Sequence, residues 1–211
     1  MRINEILKID THEEYVAGYA YHFNNPTDQH VMPPHANNLE LNQHWVFKIS
    51  IDTDQIHLSS WDGPHIISYV GLHKFMDGYQ VDMIATDPKY RSRGLIRYAI
   101  NYAVGKWHKI YSDTRQTPDA QAVWTALILR PFGTTYQLYD LGHNTLQQLR
   151  VVDGQIVPNP WSEFEEDTVI LATSTVLSET TLKVQVDRIL LDTQRHRRWA
   201  GLGLNFTDFI P

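Results

Sequence analysis

The chain contains no cysteine. Disulfides, a thiol nucleophile and every cysteine metal site are therefore excluded. The lack of disulfides fits a cytoplasmic protein. Positive charge is in short supply: 18 Lys and Arg stand against 24 Asp and Glu, a formal net charge of −6. A protein that neutralises many phosphates usually carries the opposite sign, so nucleic acid is not expected as the main partner, although a local basic patch could still touch it. No apolar run approaches the ~20 residues of a membrane span, and none is expected. The opening "MRINEILKID" carries acids early and has no apolar h-region, so no signal peptide is expected. Eleven histidines are present, but none stands in HExxH or another recognised ligand spacing, so no metal is expected.

The 211 residues present suit one domain with a substantial core. Thr11 with Glu14 makes a capping box, and Tyr15, Val16, Tyr19 and Phe23 follow at helical spacing, predicting a helix over 12–23. "NNPTDQHVMPPHANN" reads as loop from its prolines and asparagines. Strand patterns follow in "HWVFKISID", "QIHLSSW", "HIISYVGLHKF" and "GYQVDMIAT", with Asp77-Gly78 as a hairpin signal between the last two. After Arg93-Gly94 the period becomes helical through Leu95, Ile96, Ala99, Ile100 and Ala103, with an end expected at Gly105-Lys106. "HKIYSD" is a short strand. Thr117-Pro118-Asp119 opens another helix, which Pro131 and Gly133 stop. "TYQLYDLG", a hairpin turning at Asp153-Gly154, the strand "DTVILATSTV" and a last helix over "LKVQVDRILLDTQRHRRW" complete the pattern. This mixture of strands and helices predicts an α/β or α+β sandwich around one mixed sheet. Residues 1–175 are expected to form one domain with a hairpin insertion at about 144–160, and 176–211 a helix and tail packed on it.

One stretch carries chemistry: "DPKYRSRGLIRYAI", residues 87–100. A strand, a sharp turn and a helix N-terminus form an anion site, because the first N–H groups of a helix lack partners and face the positive end of its dipole. Gly94 lets backbone approach a phosphate closely, and Arg91, Arg93 and Arg97 add positive charge. A solvated basic helix start would look the same, and the pattern does not separate the two.

The run Thr86-Asp87-Pro88-Lys89-Tyr90-Arg91-Ser92-Arg93-Gly94-Leu95-Ile96, followed by "KIYSD" and "TPDAQAVWTAL", resembles the GNAT acyltransferases, most closely members encoded by bacteriophages. Their signature is Arg or Gln, two residues, Gly, one residue, then Gly or Ala. The resemblance covers roughly 10–175 and is specific over 80–127. It implies a GNAT-like α/β fold with a mixed, mostly antiparallel central sheet flanked by helices, and acetyl-CoA as co-substrate. Pantetheine would bond the backbone near Met83, Ile84 and Ala85. The pyrophosphate would sit on the turn formed by Arg91, Ser92, Arg93, Gly94, Leu95 and Ile96. The acceptor would be a primary amine on a small molecule, peptide or modified nucleotide.

Two positions depart from the family pattern. Ile96 stands where Gly or Ala is usual, and Trp124 occupies the catalytic position of a tyrosine that can protonate the leaving thiolate. An indole N–H is a donor only, so water or Tyr98 would serve instead. These departures keep open an alternative: a catalytically inactive GNAT-fold protein, such as a phage-encoded inhibitor or accessory protein. For the general base, Asp82 is the acid within "VDMIAT", and His73 on the preceding strand is the other candidate, histidine being a residue type suited to the task. Either face of the sheet is open to Asp82 from alternation alone. Tyr139 and Asp140 could hold substrate or pack. The basic run "RHRRW" at 195–199 could end a helix or meet a partner. The apolar tail "GLGLNFTDFIP" would pack back on the body or dock on a second subunit as a homodimer.

Overall fold

The computed structural model describes residues 16–32, 45–131, 133–161 and 167–174. Among them, nine strands form one sheet in the order β1-β2-β3-β4-β5-β6-β11-β7-β8. The strands are β1 (Asp28–Val31), β2 (Val46–Ile51), β3 (Gln55–Asp62), β4 (His65–Phe75), β5 (Gly78–Thr86), β6 (Lys109–Tyr111), β7 (Thr134–Asp140), β8 (Thr145–Gln148) and β11 (Thr168–Ser174). β9 (Arg150–Val152) and β10 (Gln155–Val157) pair separately as a hairpin that turns at Asp153 and Gly154. Every pairing in the large sheet is antiparallel except that of β5 with β6. The expected mixed, mostly antiparallel sheet is present.

Two α-helices lie wholly within the described residues, α1 (Leu95–Trp107) and α2 (Pro118–Leu129). Both supply side chains to the main core, where Tyr98, Ile100 and Val104 of α1 and Trp124, Leu127 and Ile128 of α2 meet Leu58, Val70, Leu72 and Ile110 of the sheet. α2 begins as its residues dictate: Pro118 fills the first turn, and the Thr117 hydroxyl accepts from the N–H of Ala120 at 3.3 Å. Arg97 of α1 donates to the carbonyl of Arg130 at the end of α2 (2.9 Å), which ties the two helices together. On the opposite face of the sheet, Phe23, Trp61, Ile66, Tyr69 and Ala85 form a second apolar cluster.

Three expectations need correction. The stretch read as loop contains β1, which pairs with β2 from Asp28↔Ile49 to Val31↔Val46. Its side chains are largely exposed, so no alternation marks it; the ladder to β2 makes it a strand. The helix expected over 12–23 falls partly outside the described residues. Within them it ends at Ala17 and gives way to a 3-10 helix at Ala20–Phe23. α1 runs past Gly105 and Lys106 to Trp107, where His108 takes the left-handed cap position with φ of 65°. The expected last helix and the apolar tail lie outside the described residues.

Candidate active site

A fork in the sheet creates the site. β5 and β6 pair only at Tyr79↔Ile110 and Gln80↔Tyr111. Past that point each strand is committed elsewhere. β5 stays with β4 as far as Thr86. β6 turns to β11, where the N–H of Ser112 donates to the carbonyl of Ile170 (2.8 Å) and its hydroxyl accepts from the N–H of Ile170 (2.9 Å). The Gln80 amide, donating to the carbonyl of Ser112 at 2.9 Å, closes the base of the fork.

The fork opens into a groove of about 960 Å³. One wall is β5, from Val81 to Thr86; another is the turn from Tyr90 to Gly94 with the start of α1; the third is α2 and the loop before it. The predicted cofactor residues Met83, Ile84, Arg91, Ser92, Arg93, Gly94, Leu95 and Ile96 all border this groove, as do Asp82 and Trp124. Ala85 does not; it is buried in the second apolar cluster, paired with Tyr69 of β4.

The turn has the backbone of an anion cradle. Asp87 caps a short 3-10 helix, its carboxylate accepting from the N–H of Lys89 at 2.8 Å. Ser92 and Gly94 then adopt left-handed conformations, with φ of 59° and 80°. Successive N–H groups in such a turn converge, and only glycine adopts φ of 80° without strain. Among the described residues, the N–H groups of Ser92, Arg93, Gly94, Leu95 and Ile96 have no backbone acceptor. Arg93 lies over the rings of Tyr90 and Trp45, its guanidinium carbon 5.3 and 5.9 Å from their centroids. Tyr90 is fixed in turn by its hydroxyl, which donates to Asp62 at 2.8 Å; burial, then that bond, pushes the phenol up to about 12.

The two departures from the family pattern do not fill the groove. Ile96 is 8% exposed and Trp124 1%, and both side chains belong to the main core, so each offers only its margin to the opening. Tyr98 is no source of a proton for a thiolate here. It too is buried in the core, and its hydroxyl is bonded to Nε2 of His30 at 2.7 Å.

Asp82 and His73 come together. Nδ1 of His73 lies 3.7 Å from Oδ2 of Asp82, with the side chains 38% and 43% exposed. A β-bulge makes this contact. β4 and β5 pair Gly71 with Met83 and Leu72 with Val81, which leaves Asp82 as the extra residue. The bulge removes Asp82 from the alternation, so the sequence could not tell which face it takes. The surrounding protein disfavours its charge and raises the carboxyl above its usual range; the nearby Asp113 raises it further and His73 opposes both.

Tyr139 packs against Val169, Leu171 and Tyr111, its hydroxyl donating to Asn144 at 2.5 Å. Asp140 is engaged by His143, whose N–H it accepts at 2.9 Å. Neither borders the groove. The sequence pattern did not single out Asp113, Arg115, Gln116 and Arg130, which do. Their signal was position: Asp113, Arg115 and Gln116 lie in the loop that leaves the fork, and Arg130 ends the helix beside it. Among the described residues, no cluster of His, Asp and Glu could hold a metal ion, and no helix is long and apolar enough to cross a membrane.

No protein-family profile matches the sequence, and no curated protein matches it. Solved structures do. The ribosomal-protein-S18-alanine N-acetyltransferase from Escherichia coli aligns over 61% of this chain and 74% of its own, at 14% identity and a TM-score of 0.34. A GNAT family acetyltransferase from Elizabethkingia anophelis with acetyl-CoA bound aligns over 58% and 77%, at 15% identity and 0.32. The PaiA N-acetyltransferase from Thermoplasma acidophilum, in complex with coenzyme A, aligns over 57% and 61%, at 10% identity and 0.33. Likeness of this extent settles no activity, and the functional conclusion rests on the groove's own residues.

Proposed function

We propose that the chain transfers an acetyl group from acetyl-CoA to a primary amine. The observation that carries this reading is one continuous groove. It joins an anion-cradling turn, Ser92 to Ile96, to a forked pair of strands with the carboxylate Asp82 at the opening.

The turn N–H groups, with Arg91 and Arg93, would hold the pyrophosphate. The pantetheine arm would run along β5 beside Met83 and Ile84, where the ladder to β6 has ended. The amine would come to Asp82. Its nitrogen attacks the thioester carbonyl, the C–S bond breaks, an amide forms, and the CoA thiolate leaves. The amine proton passes to Asp82 or His73, directly or through water. Asp82 and Asp113 together favour an acceptor that arrives as a cation.

Trp124 supplies no acid, and Tyr90 and Tyr98 are both engaged elsewhere. The thiolate therefore leaves without a proton from any of these side chains, which a thiol of ordinary acidity tolerates. The alternative of a non-catalytic binding protein draws on the two departures, Ile96 and Trp124, both of which the core holds at the margin of the groove.

The test is acetyl-CoA with a panel of primary amines, followed by release of free thiol with a chromogenic reagent. The chain has no cysteine, so the protein gives no background. Thiol release that depends on the amine supports transfer. Tight CoA binding without release for any amine favours the binding protein.

A further inference from the structure

Gly71 sits in the middle of β4, and its backbone is extended rather than left-handed, so its conformation does not call for glycine. Its surroundings do. A Cβ built on Gly71 would lie 2.5 Å from Oδ1 of Asp82 and 3.1 and 3.3 Å from the hydroxyl and Cε1 of Tyr69. A glycine within a strand commonly marks such a close approach. The group approaching is the carboxylate of the bulged residue, and its other oxygen faces His73, two positions along the same face of β4.

Tyr69 is anchored. Its hydroxyl is bonded to Nδ1 of His57 at 2.7 Å, and its ring stacks on Tyr19 at 4.0 Å between centroids. His57 is stacked in turn on His22 at 3.7 Å. The notch over Gly71 is thus bounded by an anchored phenol on one side and an imidazole on the other.

We propose that Gly71 is a positioning residue: its missing side chain is the seat that holds the Asp82 carboxylate against β4, between Tyr69 and His73, at the opening of the fork. This inference rests on the acetyl-transfer reading for its catalytic meaning, while the seat itself can be tested without turnover. The groups facing the carboxylate are Tyr69 and His73 from β4 and Asp113 from the loop after β6.

The experiment is Gly71→Ala, made alone and in an Asp82→Ala background. With an accepted amine, Gly71→Ala is expected to lower kcat by about 10²-fold, the scale of an ångström-level misplacement, and to leave KM for acetyl-CoA within about twofold. The acid limb of its pH profile should move to lower pH, because the displaced carboxylate meets more water. Carbon-13 NMR of the aspartate carboxyls should show the Asp82 titration falling in the same direction, whether or not the chain turns over. The loss of thermal stability caused by Gly71→Ala should shrink once Asp82 is alanine, leaving only the part due to Tyr69, as a double-mutant cycle for a direct contact requires. If Gly71→Ala alone does not fold, a folded Gly71→Ala/Asp82→Ala chain supports the seat, and failure of both overturns it. Wild-type kcat with an unmoved Asp82 titration, or an equal stability loss in both backgrounds, also overturns it. Loss of the acetyl-transfer reading looks different: the wild-type chain would show no acetyl-CoA binding, while the titration and the cycle would still report on the seat.

Discussion

Nδ1 of His73 lies 3.7 Å from Oδ2 of Asp82, and the two residues meet across the bulge that shifts β5 against β4. The same bulge lies just beyond the point where β5 parts from β6. One irregularity in a strand pair thus sets the carboxylate on its partner and stands at the entrance to the groove.

Asp82→Asn removes the proton acceptor but keeps the size of the side chain. It should lower kcat/KM for the accepted amine by about 10²- to 10⁴-fold, the usual weight of a general base, with little effect on acetyl-CoA affinity. Steady-state kinetics with a calorimetric binding constant will separate the two. A fall of less than about threefold would remove Asp82 from the chemistry.

The raised carboxyl of Asp82 fixes two pH effects. As a base it must be ionised, so activity should rise with pH through a limb displaced above the ordinary carboxylate value of ~3.9. For stability the sign is opposite. A carboxyl raised in the folded state favours folding while it is protonated, and that contribution is lost as pH rises through the folded value. At neutral pH, Asp82→Asn should therefore raise the melting temperature, and only slightly, because the half-exposed carboxylate is screened by solvent. Thermal melts at pH 7 of the variant and the wild-type chain will check this.

Much of the fold could be read from side-chain period and turn chemistry. β2 to β5, the start of α1, the Thr117-Pro118 start of α2 and the Asp153-Gly154 hairpin all stand where local pattern placed them. The misses have physical causes. β1 exists through its ladder to β2, which exposed residues such as Asp28 and Gln29 do not announce. The turn proposed to hold the cofactor was legible because Gly94 and its arginines are contiguous in the chain. The Asp82 seat was not. It depends on a bulge, on a glycine eleven residues earlier and on a tyrosine held by a histidine from another strand.

His57 should make the fold acid-sensitive. Burial, then the facing His22, lowers it to about 4, with Asp52 opposing. The fold holds the neutral ring. That contribution is complete above the unfolded value of ~6.5 and is lost as pH falls toward about 4. The melting temperature of the wild-type chain should drop across this window. His57→Gln, which has no charge to gain, should show a shallower drop. Equal slopes for the two chains would contradict the assignment.

Trp124 should matter for stability more than for proton transfer. It is 1% exposed and packs in the main core. Trp124→Ala should cost about 3–5 kcal/mol, measured by denaturant unfolding. Trp124→Phe, which lacks the indole N–H, should keep kcat within about threefold. A loss of 10²-fold or more in a folded Trp124→Phe chain would give the indole a direct part in the reaction.

The central claim is that the turn from Ser92 to Ile96 holds the phosphates of acetyl-CoA. Calorimetric titration of the purified chain with acetyl-CoA tests it most directly, repeated with desulfo-CoA and with Arg93→Ala. The account predicts micromolar binding of both ligands, weakened about tenfold or more in Arg93→Ala, the scale of one charge-assisted hydrogen bond. An absence of heat and of thermal shift at millimolar coenzyme would contradict it.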